Sequence, residues 1–134
     1  MGELILVRHG QANTTARDEA SYDQLSVLGQ QQAAWLGQHF RDHHEAFDQI
    51  WSGSLNRHRE TLSAMGDLGI GDGVDARLNE LDYFNLAHAL QDDHGVPMPA
   101  NSEDFAAHLP QVMAAWHRAE ISGNERFAEF EARI

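Results

Sequence analysis

Cysteine is absent from this chain of 134 residues. Disulfides, thiolate metal sites and a cysteine nucleophile are therefore excluded, and the absence agrees with an intracellular location. No apolar run is long enough to cross a bilayer, and the apolar start lacks the basic flank and cleavage site of a signal peptide. We therefore expect a soluble cytoplasmic protein that does not bind membranes.

Basic residues are also scarce, with nine Lys plus Arg against 21 Asp plus Glu and a net charge of −12. This excess of negative charge argues against a nucleic-acid-binding protein. A negatively charged ligand would need a local positive pocket. The length suits one hydrophobic core, so we expect residues 1–134 to form a single domain.

The most informative stretch is Leu4–Gly10. Its four apolar residues, two of them β-branched, predict a strand buried on both faces. Arg8 and His9 follow directly, bringing a guanidinium suited to phosphate or carboxylate and an imidazole able to act as nucleophile or proton carrier. Because α/β proteins bind ligands at the carboxyl ends of their strands, the pair is a candidate anion site. The alternative is a strand that simply ends in polar surface residues.

The next elements indicate an α/β fold. A polar loop over 11–18 precedes a helix predicted at about 26–44, with Ser26 as its N-cap. Phe47–Ser52 is predicted as a second strand, and the order strand, helix, strand implies parallel pairing.

Two histidines near the end of that helix have the spacing of metal ligands. His39 and His43 are four residues apart and share one helix face. Histidines in a last turn also suit the helix dipole, and we favour that interpretation over a metal site.

A second cluster of functional residue types lies further along the chain. Arg57 and Arg59 fall in the first turn of a helix predicted from Ser54, where positive charge opposes the helix dipole and indicates a nearby anion such as phosphate. A solvated Arg–Glu face is the alternative. A short edge strand predicted over 74–78 leads to Glu80, a candidate general acid or a plain surface charge.

Four segments together resemble the histidine phosphatase superfamily, also called the phosphoglycerate mutase-like family. They are RHG (8–10), SVLGQQQA (26–33), SGSLNRHRET (52–61) and RLNELD (77–82). The resemblance implies a three-layer α/β sandwich with a mostly parallel sheet covered by helices. It also implies that His9 is phosphorylated, that Arg8 and Arg57 bind the phosphoryl oxygens and that Glu80 donates a proton, with no cofactor.

The chain departs from the family pattern in two places. Many members carry Thr and Asn after the RHG, where this chain has Ala12 and Thr15. The family also has a second catalytic histidine in a His-Gly pair after an apolar strand near the C-terminus. Here His94-Gly95 follows the polar run 91–93, so we do not expect it to fill that role.

The last third of the chain is predicted to be helical. Helices are predicted around 86–90, from a cap at Ser102 and from Ser122, with Pro110 as a kink or a restart. Because so few strands are found, we expect the C-terminal strands of the family fold to be missing and this chain to be an N-terminal portion of a longer protein. An exposed edge on the first strand would favour a homodimer.

Three functions follow as alternatives. The first is a phosphatase acting on a small phosphorylated metabolite through phospho-His9. The second is a mutase-type phosphotransferase, and the third is a catalytically weak phospho-ligand-binding module that lacks the second histidine.

Overall fold

The computed structural model describes residues 2–134, which contain two short strands, six α-helices and one 3-10 turn. No helix among these residues is both long and apolar enough to span a bilayer. In chain order the elements are α1 (Glu19–Tyr22), α2 (Val27–Asp42), β1 (Ile50–Ser52), α3 (Asn56–Met65), β2 (Asp72–Val74), the 3-10 turn (Ala76–Leu78), α4 (Tyr83–His94), α5 (Ser102–His117) and α6 (Phe127–Arg133).

The chain forms two compact units. The first unit comprises the residues up to Ala16 together with Ala20–Asn79, and the second comprises Arg17–Glu19 with Glu80–Ile134. Each has its own buried apolar cluster. The expectation of a single domain over 1–134 stays a prediction.

A parallel sheet lies in the first unit, which confirms the predicted α/β class. β1 pairs with β2 in parallel, with Trp51 opposite Gly73. A Cβ on Gly73 would lie 2.6 Å from the indole of Trp51, so the aromatic ring lies over the glycine and covers it. The predicted edge strand over 74–78 is wrong beyond Val74, because Asp75 accepts a hydrogen bond from the Arg77 amide (2.9 Å) and begins the 3-10 turn.

The predicted strand at Leu4–Val7 is wrong for this chain. Leu4 and Leu6 are 82% and 85% exposed, and Ile5 and Val7 are 41% and 42% exposed. A doubly buried strand needs neighbours on both edges, and within residues 2–134 the only ladder joins β1 to β2, besides an isolated bridge between residues 12 and 25. The alternating exposure is typical of an extended segment with one side turned toward the rest of the unit.

The first unit is held together by α2 packed on α3. Ser26 caps α2 through its side-chain oxygen, which confirms the predicted helix and its start. A Cβ on Gly37 would lie 1.9 Å from the Met65 carbonyl oxygen, so the two helix backbones approach as closely as only glycine allows. Ala33, Phe40 and Met65 form the buried cluster beside this contact.

The second unit is helical, as predicted. Its core is formed by Leu86, Leu90, Val112, Trp116 and other buried apolar residues of α4 and α5. α5 is a single helix through Pro110, so a restart there is excluded. Its N-cap is Asn101 and not Ser102, because the Asn101 side chain accepts from the Asp104 amide (2.9 Å).

Candidate functional site

The Arg8–Gly10 segment is attached to α3 through one hydroxyl group. The Gly10 amide donates to Thr61 Oγ1 (3.1 Å), and that hydroxyl donates to the Arg57 carbonyl oxygen (2.7 Å). On the other side, a Cβ on Gly10 would lie 2.4 Å from the Gly29 carbonyl oxygen of α2. The segment is therefore placed against both helices without strand pairing.

His9 has a defined ring orientation. Its Nδ1 lies 2.7 Å from the Gly10 carbonyl oxygen. Because a carbonyl oxygen only accepts, Nδ1 must carry the proton of this hydrogen bond. In the neutral ring the lone pair is then on Nε2, so Nε2 is the ring nitrogen that can act as a nucleophile.

Tyr22 lies beside both His9 and Arg57. The rings of His9 and Tyr22 are 6.4 Å apart in an edge-on arrangement, and the Arg57 guanidinium carbon lies 5.0 Å from the Tyr22 ring centroid. The second contact has the geometry of a cation–π interaction. Two residues predicted from separate motifs thus share one neighbour in the first unit.

Arg57 is buried and paired. It is 1% exposed, and its Nη1 lies 3.1 Å from Asp23 Oδ1. Asp23 also accepts from the backbone amides of Arg57 (2.9 Å) and Asn56 (3.0 Å), so it caps the N-terminus of α3. Burial raises the pKa of the Asp23 carboxyl, but the two amides and the guanidinium more than offset it, and the pKa lies below its ordinary value.

A second carboxylate holds the same loop to α3. Glu60 accepts from the Leu25 amide (2.6 Å) and from the Asn56 side-chain amide (2.9 Å). Together with Asp23, it fixes the segment before α2 on the first turns of α3. The segment that carries Asp23, the ion-pair partner of Arg57, is therefore fixed on α3 at two points.

The other predicted residues are placed differently. Arg8 is exposed, next to His9 in the chain. Glu80 is exposed as well and belongs to the second unit. Arg59 lines a separate cleft of about 430 Å³ between α3 and the sheet, together with Ser63, Asp67 and other residues. The phosphate-binding role of Arg8 and the proton-donor role of Glu80 stay predictions.

The predicted interpretation of His39 and His43 fits the end of α2. Their rings lie 4.0 Å apart, and Nδ1 of His43 is 2.8 Å from the His39 carbonyl oxygen, so His43 caps the helix. Over residues 2–134, no group of three or more His, Asp or Glu is arranged to hold a metal ion.

Sequence reasoning missed three residues of this cluster, Tyr22, Asp23 and His58. His58 follows Arg57 in the chain, and its ring lies 5.8 Å from that of His9. Tyr22 and Asp23 precede α2 in a segment without hydrophobic periodicity, so no pattern in the sequence indicated that they contact α3. An aspartate as N-cap is recognisable only when it is adjacent to its helix in the chain, and Asp23 caps a helix more than 30 positions later.

Comparison with known proteins identifies the family. The sequence profile of the histidine phosphatase superfamily (branch 1) matches residues 4–134. The chain belongs to the histidine phosphatase superfamily. It is 32% identical over 99 residues to a 2,3-bisphosphoglycerate-dependent phosphoglycerate mutase of Allorhizobium ampelinum. The alignment covers 69% of this chain and 47% of that relative, so the chain spans about half the relative's length. No solved structure matches the chain.

The match confirms the resemblance that the four sequence motifs indicated. It agrees with the α/β class and the parallel sheet, and it covers the helices of the second unit as well as the motifs of the first. The enzymes of this superfamily are phosphatases or mutases.

Proposed function

We propose that this chain is a phosphatase that hydrolyses a small phosphomonoester through a phosphohistidine intermediate on His9. The observation that carries the proposal is the hydrogen bond from His9 Nδ1 to the Gly10 carbonyl oxygen (2.7 Å), with buried Arg57 beside the same Tyr22 ring. A nucleophile with a defined lone pair next to a fixed cation is what phosphoryl transfer needs.

In the first step, the lone pair on His9 Nε2 attacks phosphorus. The N–P bond forms while the P–O bond to the leaving alkoxide breaks, and Glu80, in its protonated form, donates its proton to that alkoxide. The phosphorylated ring becomes cationic, which strengthens the hydrogen bond from Nδ1 to the Gly10 carbonyl oxygen.

In the second step, water attacks the phosphoryl group. The Glu80 carboxylate takes a proton from that water, the N–P bond breaks, and the electron pair returns to Nε2. Inorganic phosphate leaves, and His9 is neutral again. Glu80 thus alternates between acid and base, as general acid–base catalysis by a single carboxyl group requires.

Two arginines supply charge to the equatorial oxygens in this proposal. Asp23 holds the Arg57 guanidinium plane through Nη1 (3.1 Å), so its orientation costs little on binding. Arg8 is exposed and supplies a second cation from the residue before His9. Arginine suits this role because its planar fork matches the spacing of phosphoryl oxygens.

A mutase-type phosphotransferase is the second candidate. The observation that favours it is the 32% identity to a protein named as a phosphoglycerate mutase. In that case the phosphoryl group on His9 passes to a hydroxyl of the bound metabolite instead of to water. In either case the partner is a small phosphorylated metabolite, and we place the protein in the cytoplasm.

The test is phosphate trapping on His9. Incubation with an aryl phosphate, quenching in base and peptide mapping should find an acid-labile phosphate on the peptide that contains His9. His9→Ala should abolish both label and turnover, whereas His39→Ala, on exposed α2 surface, should change neither. Unchanged turnover in His9→Ala refutes the proposal. Phosphate binding without label in the wild type supports the catalytically weak binding module.

A further inference from the structure

His58 lies beside the nucleophile, although its own motif position in α3 is far from His9 in the chain. The two imidazole rings have centroids 5.8 Å apart and planes inclined by 40°. His58 directly follows Arg57, which approaches the same Tyr22 ring as His9 does. The first turn of α3 thus brings a guanidinium and an imidazole to the surroundings of His9.

One edge of the His58 ring is held by the chain before and after β2. Its Nδ1 is fully buried, and a Cβ on Gly53 would lie 2.2 Å from Nδ1 and 3.0 Å from Cε1. The same Cβ would lie 2.6 Å from Asn79 Oδ1, which accepts from the Ser54 amide (2.7 Å). The absence of a side chain at residue 53 therefore makes room for this edge of the imidazole, and Nδ1 is shielded from any ligand.

We propose that His58 is a second imidazole of the phosphoryl site and that its Nε2–H donates a hydrogen bond to a non-bridging oxygen of the group carried by His9. The inference rests on the proposed phosphohistidine. A centroid separation of 5.8 Å is short enough for one phosphoryl group to contact both rings. A donor fixed in advance at this point stabilises the charge that develops in the transition state.

The charges around His58 favour this role. Arg57 and Asp23 form an ion pair next to it, so the neighbouring guanidinium is partly neutralised. Arg8 is exposed and directly precedes His9 in the chain, and Asp75 pairs with Arg77 on the segment that leads to Asn79. In the proposed phosphatase, the paired Arg57 and the exposed Arg8 bind the phosphoryl group, and a hydrogen bond from His58 adds to their stabilisation.

The test replaces His58 by Gln and by Asn, because the side-chain amide of each residue imitates one nitrogen of the imidazole ring. The side-chain nitrogen of Gln reaches the position of histidine Nε2, whereas that of Asn reaches the position of Nδ1. The rate of phospho-His9 formation should fall about 100-fold in His58→Ala. His58→Gln should recover most of that loss, and His58→Asn should not. His39→Gln is the control for loss of an imidazole on exposed α2 surface.

Binding of inorganic phosphate, measured by calorimetry, separates this proposal from the one on which it rests. If the wild type binds phosphate but His9 is never labelled, the phosphatase proposal fails. The His58 assignment is then decided by whether Gln, and not Asn, restores phosphate affinity. Equal rates and affinities in all three His58 variants overturn the assignment, as does rescue by Asn to the same extent as by Gln. Should His58→Ala fail to fold, the Gln and Asn variants still decide.

Discussion

Replacing Asp23 by Ala should destabilise the first unit far more than loss of a helix cap alone. Asp23 accepts two backbone amides of α3 and pairs with Arg57, which is 1% exposed. Loss of an N-cap side chain costs about 1 kcal/mol. Leaving a buried guanidinium without its carboxylate costs about 3 to 5 kcal/mol, and the partial exposure of Asp23 (23%) places this case at the lower end. We therefore expect a loss of about 4 kcal/mol, roughly a thousandfold in the unfolding equilibrium.

The assay is urea unfolding followed by circular dichroism, with two comparisons. Asp23→Asn keeps one oxygen, which can accept from one of the two amides, and loses both the second acceptor and the charge, so it should cost about 3 to 4 kcal/mol. Ser26→Ala removes the cap of α2, whose hydroxyl accepts from the Gly29 amide (3.0 Å), and should cost only about 1 kcal/mol. The ion-pair reasoning is refuted if Asp23→Ala and Ser26→Ala have equal unfolding free energies.

The stabilisation that Asp23 provides should depend on pH in a defined direction. The pKa of Asp23 is lowered in the folded protein from an ordinary value of 3.8. Its contribution is therefore complete above that value and is lost as the pH falls through the folded pKa. The difference in unfolding free energy between the wild type and Asp23→Asn should be constant near neutrality and shrink below about pH 4.

Three further predictions concern packing, titration and assembly. Gly37→Ala should lower the unfolding free energy by about 3 kcal/mol, since its Cβ meets a carbonyl oxygen at 1.9 Å, whereas Gly71→Ala, which meets nothing within 4 Å, should change it little in the same urea titration. His108 is 4% exposed and burial lowers its pKa, so stability should fall as the pH drops below its ordinary value of 6.5, and thermal melts of His108→Asn should show a weaker fall. Leu6 is 85% exposed on an extended apolar segment, so we expect the wild type to self-associate and Leu6→Lys to be monomeric in sedimentation velocity.

The helices could be predicted from the sequence because their signals are local. The interval from Ser26 to His44 contains a cap, an apolar stripe and basic residues in the last turn, and α2 lies within it. Phe47–Ser52 likewise contains β1. The strand predicted at Leu4–Val7 had an equally good local pattern, but a strand buried on both faces also depends on neighbours that a local pattern does not contain.

The candidate site was predictable only in part, for the same reason. The functional groups of Arg-His-Gly and Arg57 can be recognised from short local segments of the sequence. Asp23 and Tyr22 contact α3 although they are far from it in the chain. The proximity of His58 to the site is visible only in the structure, where its ring lies 5.8 Å from that of His9. These contacts form only when α2 packs on α3. Neither the composition nor the hydrophobic periodicity of the sequence therefore predicts them.

The hydroxyl of Thr61 joins the segment that contains His9 and Gly10 to one turn of α3. Because the Gly10 amide is bonded to that hydroxyl, and not to a strand, its hydrogen exchange should report local opening of α3 and not unfolding of a sheet. Local opening of the turn between Arg57 and Thr61 should therefore loosen Gly10 and Arg57 in the same event, so that the two halves of the candidate site open together.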